Sequence, residues 1–211
     1  RFTYMGFRYI GISGICRDDI ECIEAVALTS DFRTVGSFRC SNEDLNQLQS
    51  NITWSGKSNF VDIPTDCPQR DERQGWTGDI TLFAPTACLN FDMSVFLRKW
   101  LLDVKTEQTI LGSIPFVVPS RKGITPAITT SCWGDSCILV PWALYMASGD
   151  EEVLRMMYPT MKRYMADVRR WAALSLPLYG SPHILKLPFQ FGDWCAPYGN
   201  VPDWLKKGPW V

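Results

Sequence analysis

The chain has 211 residues, 46% of them hydrophobic, which is enough for one domain with a real core or for a small module joined to part of a larger one. Its 21 basic and 22 acidic residues leave a net charge of -1, which argues against nucleic acid as the main partner, because phosphate binding needs a basic excess or stripe. No apolar run approaches the roughly 20 residues of a membrane span, so no membrane partner is expected.

Residues 1–40 read as β. Phe2-Thr3-Tyr4, Phe7 to Ile12 and Cys22 to Leu28 alternate bulky with small or polar residues, with turns at Gly14 and Asp18-Asp19. Gly36 to Cys40 reads as a last short strand or connector. From Ser41 the character is helical. Ser41 reads as an N-cap with Asp44 at the third helical position, and Leu45, Leu48, Ile52 and Trp54 follow at helical spacing. Ile80 to Asn90 reads as a helix with Pro85 as a kink or first-turn residue. Met93 to Gln108 is a strong amphipathic helix with Val95, Phe96, Trp100, Leu101 and Val104 on one side. Residues 110–130 form a long loop rich in Pro, Gly, Ser and Thr, the kind that is usually functional. Trp133 to Ser148 reads as an apolar helix broken or begun at Pro141. Glu151–Tyr158 and Thr160–Leu174 read as a helix pair around Pro159, and the tail from Leu176 reads as loop.

The order is therefore strands, then a run of helices. Paired helices joined by loops suggest a toroid of hairpins, of which the chain would hold about half. The chain opens at Arg1 in strand-like sequence and closes on Pro209-Trp210-Val211. Both ends read as cut, and a piece of a longer polypeptide is expected, so localisation and oligomeric state stay open.

The eight cysteines make no Cys-x-x-Cys pair, and the only histidine, His183, is far from any of them in a metal-like spacing. Free, mostly buried thiols are expected, without metal or cofactor. Trp100, Trp142 and Trp171 sit at apolar helical positions and read as core. Trp76, Trp133 and Trp194 sit beside Gly and Asp in loop-like sequence and read as ligand-facing. Asp135 and Asp193 suit either a sugar hydroxyl or a helix cap.

The densest chemistry lies between Asp62 and Asp79, where five acids, two arginines and a tryptophan are punctuated by prolines and glycines. A glycosidase needs one carboxyl group to protonate the leaving oxygen and another to activate water or attack carbon. It also needs carboxylates and an arginine for sugar hydroxyls and a flat indole for the apolar face of the ring. Asp66, Arg70, Glu72, Trp76 and Asp79 supply these types, with Glu72 flanked by Asp71 and Arg73, which would tune its pKa. On residue types alone, an ion-paired loop with Asp79 beside a helix N-terminus serves as well.

The stretch Asp62-Ile63-Pro64-Thr65-Asp66-Cys67-Pro68-Gln69-Arg70-Asp71-Glu72-Arg73-Gln74-Gly75-Trp76-Thr77-Gly78-Asp79 resembles the signature of bacterial α-L-rhamnosidases, the inverting enzymes of glycoside hydrolase family seventy-eight. Further matches follow in order. Gly6 to Tyr9 resembles the end of the β-sandwich before their catalytic domain, and Gly36 to Asn42 its junction with the barrel. Trp133-Gly134-Asp135-Ser136, Pro141-Trp142 and Gly192-Asp193-Trp194 resemble later barrel motifs.

The resemblance implies a mainly α chain: C-terminal strands of a β-sandwich domain over 1–40, then the N-terminal portion of an (α/α)6 barrel over 41–211. By motif position Glu72 matches the general acid. Asp66, Arg70, Trp76 and Asp79 match residues lining the rhamnose subsite, and Trp133 and Trp194 match aromatic walls of the same pocket. The ligand would be a rhamnose-containing glycoside or polysaccharide. The chain departs from the pattern at Met5, where histidine is expected. It also lacks the second half of the barrel, which carries the general base, so the isolated chain is expected to be inactive and, with helix faces uncovered, poorly soluble. Another (α/α)6 glycosidase and a non-catalytic carbohydrate-binding relative are the competing readings.

Overall fold

Helix α1 (Glu43–Asn59) begins where the extended Asn42 turns its side-chain oxygen onto the N–H groups of Asp44 (2.9 Å) and Leu45 (3.3 Å). The cap is Asn42 rather than Ser41; an amide oxygen accepts these bonds as well as a hydroxyl does. The computed structural model describes residues 4–120, 127–186 and 189–192. A two-residue hairpin follows α1, with β1 (Phe60–Val61) paired antiparallel to β2 (Ile63–Pro64). Asp62 turns it with a left-handed φ of 65°. Four more helices follow: α2 (Thr77–Asn90), α3 (Ser94–Glu107), α4 (Ser136–Ser148) and α5 (Glu151–Tyr179). Gly149, left-handed at φ 72°, ends α4, and Asp150 caps α5 on the Glu152 N–H at 2.9 Å, so two residues make the α4–α5 hairpin.

Helix α4 lies at the centre and packs on α2, α3 and α5. The core between them is Ala84 and Ala87 of α2, Leu97, Trp100, Leu101 and Val104 of α3, Val140 and Leu144 of α4, and Met157 and Tyr164 of α5. Trp100 is fully buried, and its indole N–H donates to the Val118 carbonyl at 2.9 Å. That bond fixes the segment 114–118, whose Ile114, Phe116, Val117 and Val118 are themselves buried. Phe32, Phe60, Phe91 and Phe96 close one end, the nearest ring pair, Phe32 and Phe91, 4.7 Å apart.

Several sequence expectations change. Pro159 does not divide a helix pair: α5 runs through it, and on past Leu176, as one helix of 29 residues. Pro159 faces solvent, while Val153, Met157, Thr160, Tyr164 and Asp167 form an unbroken buried stripe on the other side. Burial of that stripe offsets a proline cost of about 3 kcal/mol. Residues 4–40 form no strand. They contain a single 3-10 turn at Arg17–Asp19 and an isolated bridge from Thr34 to Phe91. Phe7, Tyr9, Ile10, Ile12, Ile23, Val26 and Leu28 are exposed. A strand exists by pairing with another backbone, and beyond single bonds of residues 30–36 to Phe60 and residues 90–92 the described residues supply no paired strand beside this segment. Phe2 and Thr3 lie outside the described residues.

Trp100 is core, as read from the sequence, but Trp142 is half exposed on α4, and Trp171 is only partly buried. Leu45, Leu48 and Trp54 of α1 are also exposed, so the apolar face of that helix is not covered by the described residues. The seven described cysteines are free thiols; Cys67, Cys88 and Cys137 are buried, and the remaining four are partly or fully exposed.

The Trp100–Val118 bond yields a stability prediction. Trp100→Phe keeps most of the apolar volume and orphans the buried Val118 carbonyl, a loss of about 1–3 kcal/mol. Urea unfolding followed by circular dichroism should show a lower midpoint at unchanged slope. An unchanged midpoint would mean the carbonyl finds another donor.

Candidate active site

The acidic loop runs from β2 to α2 and is tied at several points. Thr65 donates twice to the Asn59 carbonyl at the end of α1, from its N–H (2.9 Å) and its hydroxyl (2.8 Å). The Asp66 N–H donates to the Gln74 carbonyl (3.1 Å), and the Gln74 N–H returns to Asp66 Oδ1 (3.3 Å), closing residues 67–73 into a lobe. Arg73 takes a left-handed φ of 49°. Its guanidinium donates to the carbonyls of Pro68 (3.0 Å) and Tyr4 (2.8 Å) and lies over the Tyr4 ring.

The C-terminal end of the loop rests on segment 114–118. The Val118 N–H donates to the Gly75 carbonyl, and the Thr77 N–H donates to the Phe116 carbonyl, each at 2.8 Å. A Cβ on Gly75 would run into the Val118 carbonyl, so only glycine allows this approach. Gly78, the second residue of α2, is needed for a different reason: a Cβ there would lie 2.8 Å from the Trp133 indole.

Within the lobe five side chains converge. Arg70 Nη2 and Nε donate to Glu72 Oε2 at 2.6 and 3.0 Å. The Trp76 indole N–H donates to Glu72 Oε1 at 2.9 Å. Cys67 Sγ lies 2.9 Å from Asp66 Oδ2 and 3.3 Å from Glu72 Oε2, and it accepts from Arg70 Nε at 3.2 Å. Asp66, Glu72 and Trp76 are half-buried, Cys67 is buried, and Arg70 reaches in from solvent.

The electrostatics separate the carboxyl groups. Burial pushes Asp66 above the ordinary aspartate value, and the neighbouring Glu72 pushes it further. Burial acts on Glu72 in the same sense. There, hydrogen bonds from Asp66, Cys67, Arg70 and Trp76 outweigh it and hold Glu72 below the ordinary glutamate value. Without a ligand, the shared proton therefore favours Asp66. Burial, with the two carboxylates, pushes the Cys67 thiol up to about 12, so it is a thiol and not a thiolate.

Asp79 sits in the first turn of α2. With Asp66 it lines an open cleft of about 320 Å³ that also takes in Ser55, Asn59, Ile80 and Phe83. Desolvation against these walls, then the charge of Asp66, raises its pKa. Trp133 is packed between Gly78 and Phe191, whose ring centroid is 4.2 Å away. Its indole N–H is buried without a partner among the described residues. Asp135 accepts from the Tyr164 hydroxyl and the Cys132 N–H, both at 2.8 Å, so it braces α4 against α5. Trp194 and Asp193 lie outside the described residues.

Asp66, Arg70, Glu72 and Trp76 thus come together as the sequence suggested, with Asp79 on the adjoining cleft and Trp133 behind α2. Cys67 was read only as one more buried thiol. Its place inside the signature, between an acid and an arginine, was the signal for its contacts. The ligand atoms of Asp66, Cys67 and Glu72 lie within 4.8 Å of one another. A protonated thiol with Arg70 already donating into the group is a poor cation site.

Residues 33–206 match the model of the bacterial alpha-L-rhamnosidase 6 hairpin glycosidase domain. The chain is 40% identical over 201 residues to an alpha-L-rhamnosidase of Formosa agariphila, covering 94% of this chain and 20% of that protein. The crystal structure of Streptomyces avermitilis alpha-L-rhamnosidase complexed with L-rhamnose superposes with a TM-score of 0.59 at 40% identity, over 68% of this chain and 13% of that one. The native enzyme of Aspergillus terreus superposes with a TM-score of 0.66 at 39% identity, over 83% and 20%. The chain spans about a fifth of the length of the curated relatives it matches.

The raised pKa of Asp79 makes stability depend on pH. A carboxyl group raised on folding lends stability below its unfolded value and loses it as pH rises through the folded value. Asp79→Asn should therefore be more favourable relative to the parent chain near pH 7 than near pH 3, where both side chains are neutral. Thermal midpoints at the two pH values check this, and an equal difference at both would contradict the desolvation account.

Proposed function

The chain belongs to the bacterial α-L-rhamnosidase six-hairpin glycosidase family, and on that premise we propose that it carries the proton-donating side of an active site that hydrolyses terminal α-L-rhamnosides with inversion. Glu72 is the general acid, protonating the glycosidic oxygen as the bond to the anomeric carbon breaks. Asp66, Arg70 and Asp79 hold sugar hydroxyls, and Trp76, Trp133 and Trp194 form apolar walls. The general base is a glutamate outside these residues, on the far side of the sugar and about 6.5–9.5 Å from the acid, a spacing that leaves room for water. The observation that carries the reading is the convergence of Arg70 and Trp76 on the single carboxyl of Glu72.

An acid must hold its proton until the leaving oxygen arrives, and Glu72 is held low without a ligand. Arg70 supplies the route to loading. Its side chain is exposed, and sugar hydroxyls that accept its N–H groups take it from Glu72. A sugar ring laid over Trp76 also excludes water. Both changes raise the Glu72 pKa, and the proton moves from Asp66 to Glu72. The same Arg70–Glu72 ion pair favours one other reading, a carbohydrate-binding relative without turnover, in which the pair never opens.

Glu72→Gln in the full-length polypeptide separates the two. The catalytic reading expects kcat on an alkyl α-L-rhamnoside to fall by about 10²–10⁴-fold with rhamnose affinity kept. An aryl rhamnoside with a good leaving group, which needs little protonation, should lose far less. Equal turnover by the variant and the parent would remove Glu72 from the mechanism. Residues 1–211 alone are expected to bind rhamnose without releasing it from glycosides, and turnover by them would place the base within this chain.

A further inference from the structure

We propose that Cys67 is a positioning residue of the acid site, its thiol proton directed at Asp66 so that the proton shared by the two carboxyl groups can be passed to Glu72. The inference rests on the reading of Glu72 as the acid. Cys67 Sγ stands between the carboxyl groups, 2.9 Å from Asp66 Oδ2 and 3.3 Å from Glu72 Oε2. A thiol has one proton to donate, and the shorter contact is to Asp66. The lone pairs of the same sulfur accept Arg70 Nε at 3.2 Å, which turns the S–H away from the guanidinium and towards the carboxyl groups.

The three donors then act in opposite senses. Arg70 and Trp76 stabilise ionised Glu72. Cys67 is the side-chain donor directed at ionised Asp66, which also takes backbone N–H groups, that of Gln74 on its other oxygen and that of Cys67 itself. Burial and the nearby charges oppose Asp66 ionisation. When a ligand draws Arg70 away, the thiol bond remains and tips the balance. The proton leaves Asp66 and arrives on Glu72, and no other bond changes. The thiol stays protonated throughout, because burial and both carboxyl groups oppose its ionisation.

The charged and titratable groups facing this site are Asp66, Arg70 and Glu72 of the lobe and Asp79 of α2, on which the charges of Asp66 and Glu72 act. Cys132 and Asp135 stand beyond Asp79. Arg73 and Asp71 pair on the outer side of the lobe, with Asp71 in solvent. None of these replaces the thiol as a donor to Asp66 Oδ2.

Carboxyl-selective carbon NMR titrations of the 211-residue chain read the effect directly. In Cys67→Ala the Asp66 signal should titrate at higher pH than in the parent chain. In Cys67→Ser, which keeps a donor, it should return towards the parent position. Coincident Asp66 titrations in the parent and alanine chains overturn the proposal. Should the alanine variant not fold, the infrared S–H stretch that disappears in Cys67→Ser decides. A band lowered in frequency by hydrogen bonding, and moving as Asp66 titrates, supports the proposal; a free-thiol band at every pH overturns it. Neither measurement uses sugar, so both stand or fall independently of the rhamnoside reading, whose own failure is seen in unchanged turnover of Glu72→Gln.

Discussion

Everything at the site hangs on the backbone of Val118. Its carbonyl receives the buried indole N–H of Trp100, which ties it to the centre of the helical core. Its N–H holds the Gly75 carbonyl, and its carbonyl occupies the space where a side chain on Gly75 would stand. Two residues earlier, Phe116 receives the first N–H of α2. One buried strap therefore sets both the end of the acidic loop and the start of the helix that carries Asp79. The charged side chains are exposed to differing degrees, but the backbone at the end of the loop is hydrogen-bonded to a buried segment of the core.

The charge pattern is a balance between donors. Glu72 has the most donors and is the more acidic group; Asp66 has fewer and is the weaker acid. A catalytic acid with the opposite preference would need an apolar pocket of its own. Here the preference is set by the hydrogen bonds of Asp66 and Cys67, then those of Arg70 and Trp76, and of these four groups Arg70 is the one most exposed to solvent.

The helical half of the fold was legible because burial and period agree. Of the stripe read on α3, Phe96, Trp100, Leu101 and Val104 lie in the core, while Val95 at the start of the helix is exposed. Prolines misled, since Pro159 sits on the wet face of α5, where a missing hydrogen bond is cheap and local pattern cannot reveal which face is wet. The β reading of residues 4–40 failed for a different reason: alternation states what a strand would bury, but pairing depends on a neighbour that no local pattern names. Trp142 looked like core because it lies in an apolar run, yet it points out of α4. At the site, the signature held Asp66, Arg70, Glu72 and Trp76 in one stretch, while the direction of each hydrogen bond was not legible. That Trp76 donates to Glu72, and that Cys67 bridges two acids, follows only from the turn of the lobe.

The wall behind α2 is finished by residues far along the chain. Gln190 accepts from the Ser131 N–H, and Phe191 packs on Trp133, across some sixty residues of intervening sequence. During synthesis at about 5–20 residues per second, Asp79 leaves the ribosome on the order of ten seconds before Phe191 does. For that interval the start of α2 and, once made, Trp133 stand without the Phe191 ring against them. Assembly of this region is thus ordered in time by the ribosome, with the chemically loaded segment born first and its shelter last.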